Sequence, residues 1–114
     1  MINMYECNMN VEVKDNKTIL LKLKNNVGSG EATVNIQVFI DGQDVTDRSK
    51  LKIGNRDFNP ITKNMNVYSF YGDDLIIKVE LEEPLQPKKH EAKLRYEIIS
   101  PIWLSDTCTK EFTI

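Results

Sequence analysis

A single histidine, two cysteines and a scatter of hydroxyls and carboxylates are the groups in this chain that could do chemistry. His90 follows Lys88 and Lys89 at the head of an alternating apolar and polar segment. An imidazole acts as a general base only with a partner in hydrogen-bond reach, and a zinc site needs three or four His, Cys or carboxylate ligands. No His or Cys lies at ligand spacing and no CxxC occurs, so His90 is expected as an exposed residue at a strand edge. Ser29 sits in a Gly-Ser-Gly stretch, but the G-x-S-x-G elbow and its following helix are missing. Residues 25–30 (NNVGSG) therefore read as a flexible loop.

The carboxylates fare no better as catalysts. Asp73-Asp74 and Glu82-Glu83 are adjacent pairs, and neighbours on a strand point to opposite faces, so neither pair converges on one substrate atom. Asp41, Asp44 and Asp47 are spaced like part of a calcium loop but lack the remaining ligands. No P-loop, dinucleotide fingerprint or EF-hand loop is present. Cys7 and Cys108 stand near the two ends, where a terminal staple is one reading. Without a secretion signal they are expected as two buried thiols that act as small hydrophobes. No catalytic, cofactor-binding or metal-binding residue is expected in this chain.

The elements that carry these residues have period two. Residues 18–25 (TILLKLKN) put Ile19, Leu21 and Leu23 on one face. Residues 32–40 (ATVNIQVFI) separate Val34, Ile36, Val38 and Ile40 from Thr33, Asn35, Gln37 and Phe39. Residues 75–81, 91–99 and 107–114 alternate in the same way. Such alternation marks strands with one face on a core and one in water. Asp41-Gly42 suits a tight type I′ hairpin, and Gly54-Asn55 reads as a second one. Asn59-Pro60, Gly72-Asp73 and the segment 83–87 (EPLQP) break the chain between further strands. No helix cap is followed by an apolar stripe. Seven to nine strands with turns about every 8–12 residues predict an all-β, antiparallel two-sheet β-sandwich, immunoglobulin-like, over 1–114 as one domain.

Composition narrows the function classes. The chain has 114 residues, 40% hydrophobic and 28% charged, with a formal net charge of -2. Basic and acidic residues are intermixed along it, so no basic stripe is available for nucleic acid or an anionic membrane. Apolar runs of three or four residues span no bilayer. The N-terminus has neither the basic nor the apolar region of a signal peptide, which points to a cytoplasmic protein.

The aromatic residues are the feature without an internal explanation. Tyr68, Phe70 and Tyr71 crowd into NVYSFYGDD, and Ile102, Trp103 and Leu104 make an apolar loop in SPIWLSD. Tyr68 and Phe70 would share one strand face and Tyr71 the other, so both faces carry aromatic mass. A core aromatic with a cross-strand pair is one account. Anchors at a partner interface are the other, since Trp and Tyr dominate binding hot spots.

Residues 38–101 resemble the small β subunits of C-glycoside deglycosidases. The matching positions are Asp41, Gly42 and Val45 in a first hairpin, Gly54 in a second, and Gly72-Asp73 after an aromatic strand. Leu85, Pro87 and His90 match in the turn before the next strand. The chain departs from that pattern at NNVGSGEATV, where the family carries an aromatic and basic stretch, and at Lys88, where it carries Gly. The resemblance implies a non-catalytic bacterial subunit that docks on a TIM-barrel α subunit. That partner would hold a divalent metal such as manganese and cleave the carbon–carbon bond between a 3-oxo-sugar and a flavonoid-type aglycone, a lyase reaction. The alternative is a stand-alone immunoglobulin-like carbohydrate-binding or adhesion module.

Overall fold

The computed structural model describes residues 8–114. The alternating segments form strands Asn10–Val13 (β1), Thr18–Lys24 (β2), Gly30–Ile40 (β3), Gln43–Asp44 (β4) and Ser49–Ile53 (β5). Asn59–Pro60 (β6), Met65–Ser69 (β7), Asp74–Glu80 (β8), Lys89–Ser100 (β9) and Leu104–Thr113 (β10) follow. A single 3₁₀ turn, Thr46–Arg48, precedes β5. One sheet has the order β1-β2-β8-β5-β6; the other has β10-β9-β3-β4, with β7 also on β3. All pairs are antiparallel. The chain is thus an all-β two-sheet sandwich. Strands β1, β2, β8 and β5 take the places of A, B, E and D in the immunoglobulin arrangement, and β3, β9 and β10 those of C, F and G.

The core is where the two alternations meet. Ile19, Leu21, Leu51, Ile53, Ile77 and Val79 from the first sheet lie against Val38, Ile40, Ala92, Leu94 and Phe112 from the second. Each fully buried aliphatic side chain contributes roughly 1.5–3 kcal/mol relative to exposure. A one-residue slip of any strand would turn this set into water, so the hydrophobic pattern itself holds the register. Cys108 belongs to this core but is not a free thiol, which corrects the expectation of a buried small hydrophobe. Its suggested partner Cys7 lies outside the described residues.

Turn chemistry follows the sequence in one hairpin and departs from it in another. Asp41 and Gly42 both have positive φ, 51° and 80°, and join β3 to β4 as a two-residue turn. Gly54 also has positive φ, 59°, but pairing of β5 with β6 begins only at Leu51 and Asn59. The connection is a five-residue loop, 54–58, and not a tight hairpin. Pro60 can sit in β6 because this strand is the sheet edge.

His90 is buried, at 4% exposure, and not the exposed strand-edge residue expected from sequence. Its ring stacks on Phe112 with centroids 5.6 Å apart. Nε2 donates to the Gln86 carbonyl at 2.7 Å and Nδ1 to the Asp41 carboxylate at 2.6 Å. The other Asp41 oxygen accepts the Glu91 N–H at 2.9 Å. This knot ties the β3–β4 turn, the segment before β9 and β10 together at one end of the sandwich. Because both ring nitrogens face acceptors, the imidazolium is the form that satisfies the site. The Gln86 carbonyl first and the Asp41 carboxylate second raise the His90 pKa above its ordinary 6.5, against burial and the charge of Lys88. Burial pushes the Asp41 carboxyl up, but hydrogen bonds from His90 and Glu91 and the charge of His90 outweigh it and hold the group below its ordinary 3.8.

The sign of the pH dependence follows by linkage. The His90 contribution is complete below 6.5, its ordinary unfolded value, and is lost as pH rises through the raised folded value. The Asp41 contribution is present above 3.8 and is lost as pH falls through the lowered folded value. Urea denaturation across pH should show stability declining above neutrality in the wild type. The decline should flatten in His90→Phe. His90→Ala should cost roughly 2–4 kcal/mol, because it strips the Gln86 carbonyl of its donor and opens a gap beside Phe112.

Candidate functional site

At the opposite end of the sandwich four connections come together: 25–29, 54–58, 70–73 and 101–103. Strand register places them there, since Lys24 pairs with Asp74, Ile53 with Leu75, Gly30 with Ser69 and Thr33 with Ser100. A polar network fixes the first three. The Asn25 amide nitrogen lies within hydrogen-bond distance of the Gly28 carbonyl (2.8 Å), Ser69 Oγ (2.9 Å) and the Phe70 carbonyl (3.0 Å). Its amide oxygen accepts from the N–H groups of Val27 and Gly28. The Asn25 backbone exchanges bonds with Asp73 and Gly72. Asp73 Oδ2 accepts the Phe70 N–H at 2.8 Å, and Ser29 Oγ accepts the Tyr71 N–H at 2.8 Å. The Arg56 guanidinium donates to the Tyr68 carbonyl.

The loop read as flexible is therefore bonded throughout, and Ser29 is a backbone anchor with no base beside it. Gly54, at positive φ, lets the 54–58 loop turn against Asp73, whose carboxylate a Cβ there would meet at 3.5 Å. Asn25, Ser29, Arg56 and Asp73 each bond to the backbone of Tyr68, Phe70 or Tyr71.

Their rings are left outside. Tyr68, Phe70 and Tyr71 are 45%, 56% and 68% exposed, and Ile102 and Trp103 are 57% and 70% exposed. Tyr68 and Phe70 meet edge to face, centroids 5.1 Å apart. Val27 and Ile99 are also exposed, so all the large exposed hydrophobics among the described residues stand at this end. The core-aromatic account of the Tyr68 stretch does not hold. Leu104 differs from its neighbours: it is half-buried and pairs with Ile98 on the core-facing row. It braces the loop from inside.

The sequence reading missed Val27 and Ile99. Ile99 had a signal, because Ile98-Ile99 breaks the alternation of β9. Val27 had none beyond being apolar in a polar loop.

A shallow open depression separates the two aromatic groups on the outward face of the second sheet. Glu31, Ala32, Thr33, Asn66, Ser100 and Pro101 line it. Tyr68 lies directly across from Glu31 on one side, and Trp103 donates from Nε1 to Glu97 at 3.3 Å on the other. The remaining sequence candidates are elsewhere and engaged otherwise. Asp41 holds His90, and Asp44 accepts the Thr46 N–H at 2.9 Å. No group of three or more His, Cys, Asp or Glu among the described residues is arranged to hold a metal ion. Among the described residues no helix is long and apolar enough to cross a membrane.

No protein-family model and no curated protein matches the chain. A crystal structure of the GAE domain of yeast GGA1 is similar over 99% of this chain and 96% of that one, at 15% identity and a TM-score of 0.34. The fold class rests on the strand order and register above, and likeness of this size adds no functional argument.

The network makes the aromatic loop a rigid presentation. Asn25→Ala should leave the sandwich folded but release the 70–73 turn. Amide exchange at Phe70 and Tyr71 is expected to rise by about tenfold or more, the equivalent of about 1.4 kcal/mol for one lost anchoring side chain. Unchanged exchange at both amides would show that the loop is held by something else.

Proposed function

We propose that this chain is a non-catalytic subunit that docks on a partner protein through its aromatic end. The observation that carries the reading is the gathering of every large exposed hydrophobic of the described residues at one end, where hydrogen bonds already fix the backbone of Tyr68, Phe70 and Tyr71. Monomeric surfaces rarely gather apolar side chains in this way without a binding role. Prior rigidity lowers the entropy cost of association. The buried histidine has no free nitrogen and the serine and carboxylates serve as anchors, so chemistry would come from the partner.

The resemblance in 38–101 supplies a particular partner: the metal-bearing TIM-barrel α subunit of a C-glycoside deglycosidase, with this chain as its β subunit supporting the active-site region. Asp41-Gly42 as a turn with two positive φ angles agrees with the hairpin on which that resemblance begins. The stand-alone carbohydrate-binding reading uses the same Trp103 ring as a sugar platform. It is the less favoured, because the neighbouring apolar residues Val27, Ile99 and Ile102 offer nothing to sugar hydroxyls.

Co-expression with the product of the neighbouring gene, which the reading expects to be a TIM-barrel protein, tests it. A stable complex should bury at least about 1,000 Å² and survive size-exclusion chromatography. Trp103→Ala should weaken it by about 2 kcal/mol or more, roughly 30-fold, while the melting temperature of the isolated chain stays put. Co-purification that is indifferent to Trp103 and Tyr71 would remove the aromatic end from the interface.

A further inference from the structure

The charges around the aromatic end state what kind of surface it fits. Glu31 is exposed directly across the sheet from Tyr68, and Glu97 holds the indole edge of Trp103. Asp57 and Asp73 stand in the loops alongside. The nearby cations are committed: Arg56 to the Tyr68 carbonyl, and Lys24 to Asp74 at 3.2 Å. On the outward face of the second sheet Lys93 reaches over the Phe39 ring and Arg95 stands two residues from Glu97, while four lysines are on the far side. Lys22, Lys50, Lys52 and Lys78 lie on the outward face of the other sheet, on positions that alternate with the buried Leu21, Leu51 and Ile77. Carboxylates thus stand beside the rings of Tyr68 and Trp103.

The depression between the two aromatic groups concentrates this property. Its floor is internally satisfied, since Thr33 Oγ1 donates to Asn66 Oδ1 at 2.7 Å. Glu31 lines the depression, and the exposed rings of Tyr68 and Trp103, the latter with Glu97 on its indole edge, stand to either side of it. Ring faces attract cations, and a carboxylate adds a charge-assisted hydrogen bond to the same group.

We infer that the cleft between Tyr68 and Trp103 receives an arginine or lysine side chain projecting from an apolar surface of the protein partner, its head between Glu31 and Glu97. This rests on the docking reading above and names the chemistry of what docks. The same carboxylates repel phosphate, so an anionic bilayer or a nucleic acid is a poor occupant although aromatic loops can enter membranes.

Panning a random peptide library on the folded full chain tests the inference. Selected peptides should carry arginine or lysine next to an aliphatic or aromatic residue. Their affinity should fall about tenfold in Trp103→Ala and about three- to tenfold in the Glu31→Gln, Glu97→Gln double variant. It should also weaken as salt rises to about 0.5 M, with the Debye length shrinking. Both variants should keep the wild-type circular dichroism and melting temperature. Peptides that need Trp103 but lack basic residues, or that ignore the glutamate variant, would overturn the cation assignment and leave the docking reading standing. Peptides indifferent to Trp103 and Tyr68, or no selected peptide at all, would overturn both. Vesicles containing phosphatidylserine should not pellet the chain, and pelleting that depends on Trp103 would also overturn the inference.

Discussion

Burial of one face of each sheet against the other is the constraint on which the rest depends. Ile19, Leu21, Ile77 and Val79 are nearly inaccessible, as are Val38, Ala92 and Leu94 opposite them. With a side-chain period of two, that burial decides the register of β2, β8, β3 and β9 at once. Register in turn decides where each loop emerges. Lys24 opposite Asp74 and Gly30 opposite Ser69 are consequences of core packing, and they bring the 25–29 and 70–73 loops side by side. The surface that we read as functional exists because the interior admits one alignment.

The two ends of the sandwich use polar groups in different ways. At the His90 end a buried imidazole is consumed by a carbonyl and a carboxylate, and nothing reactive is left. At the other end Asn25, Asp73, Ser29 and Arg56 spend their hydrogen bonds on backbone groups while the neighbouring rings face water. The first arrangement closes an end of the fold. The second holds open one that would be cheaper to bury, which is how an interface differs from a core. Rigid aromatic anchors lose little freedom on binding, and an acidic surround restricts what they bind.

Much of the fold was legible because its signals are local. Alternation in residues 18–25, 32–40 and 91–99 identified strands and their inner faces, and Asp41-Gly42 identified a turn whose φ angles are both positive. Errors came where the deciding contact is distant. His90 looked exposed because its partners Asp41 and Phe112 are 49 and 22 positions away. The 25–30 loop looked flexible because its anchors, Ser69, Phe70 and Asp73, belong to another hairpin. Gly54-Asn55 promised a tight hairpin; it makes the turn, with the Arg56 N–H on the Ile53 carbonyl, but β5 and β6 pair only from Leu51 and Asn59.

By itself the sequence determined the class of fold and the inward residues, because both follow from residue type and short spacing. It also singled out Tyr68, Phe70, Tyr71 and Trp103, since aromatic mass on both faces of one strand and in an apolar loop needs an explanation. Only the tertiary structure decided that these residues share one end, that the backbone of Tyr68, Phe70 and Tyr71 is held while their rings stay exposed, and that Glu31 and Glu97 stand beside Tyr68 and Trp103. The physical reason is that a strand's alternation specifies what is buried, whereas the neighbours of a loop are set by pairings between segments that can lie more than half the chain apart.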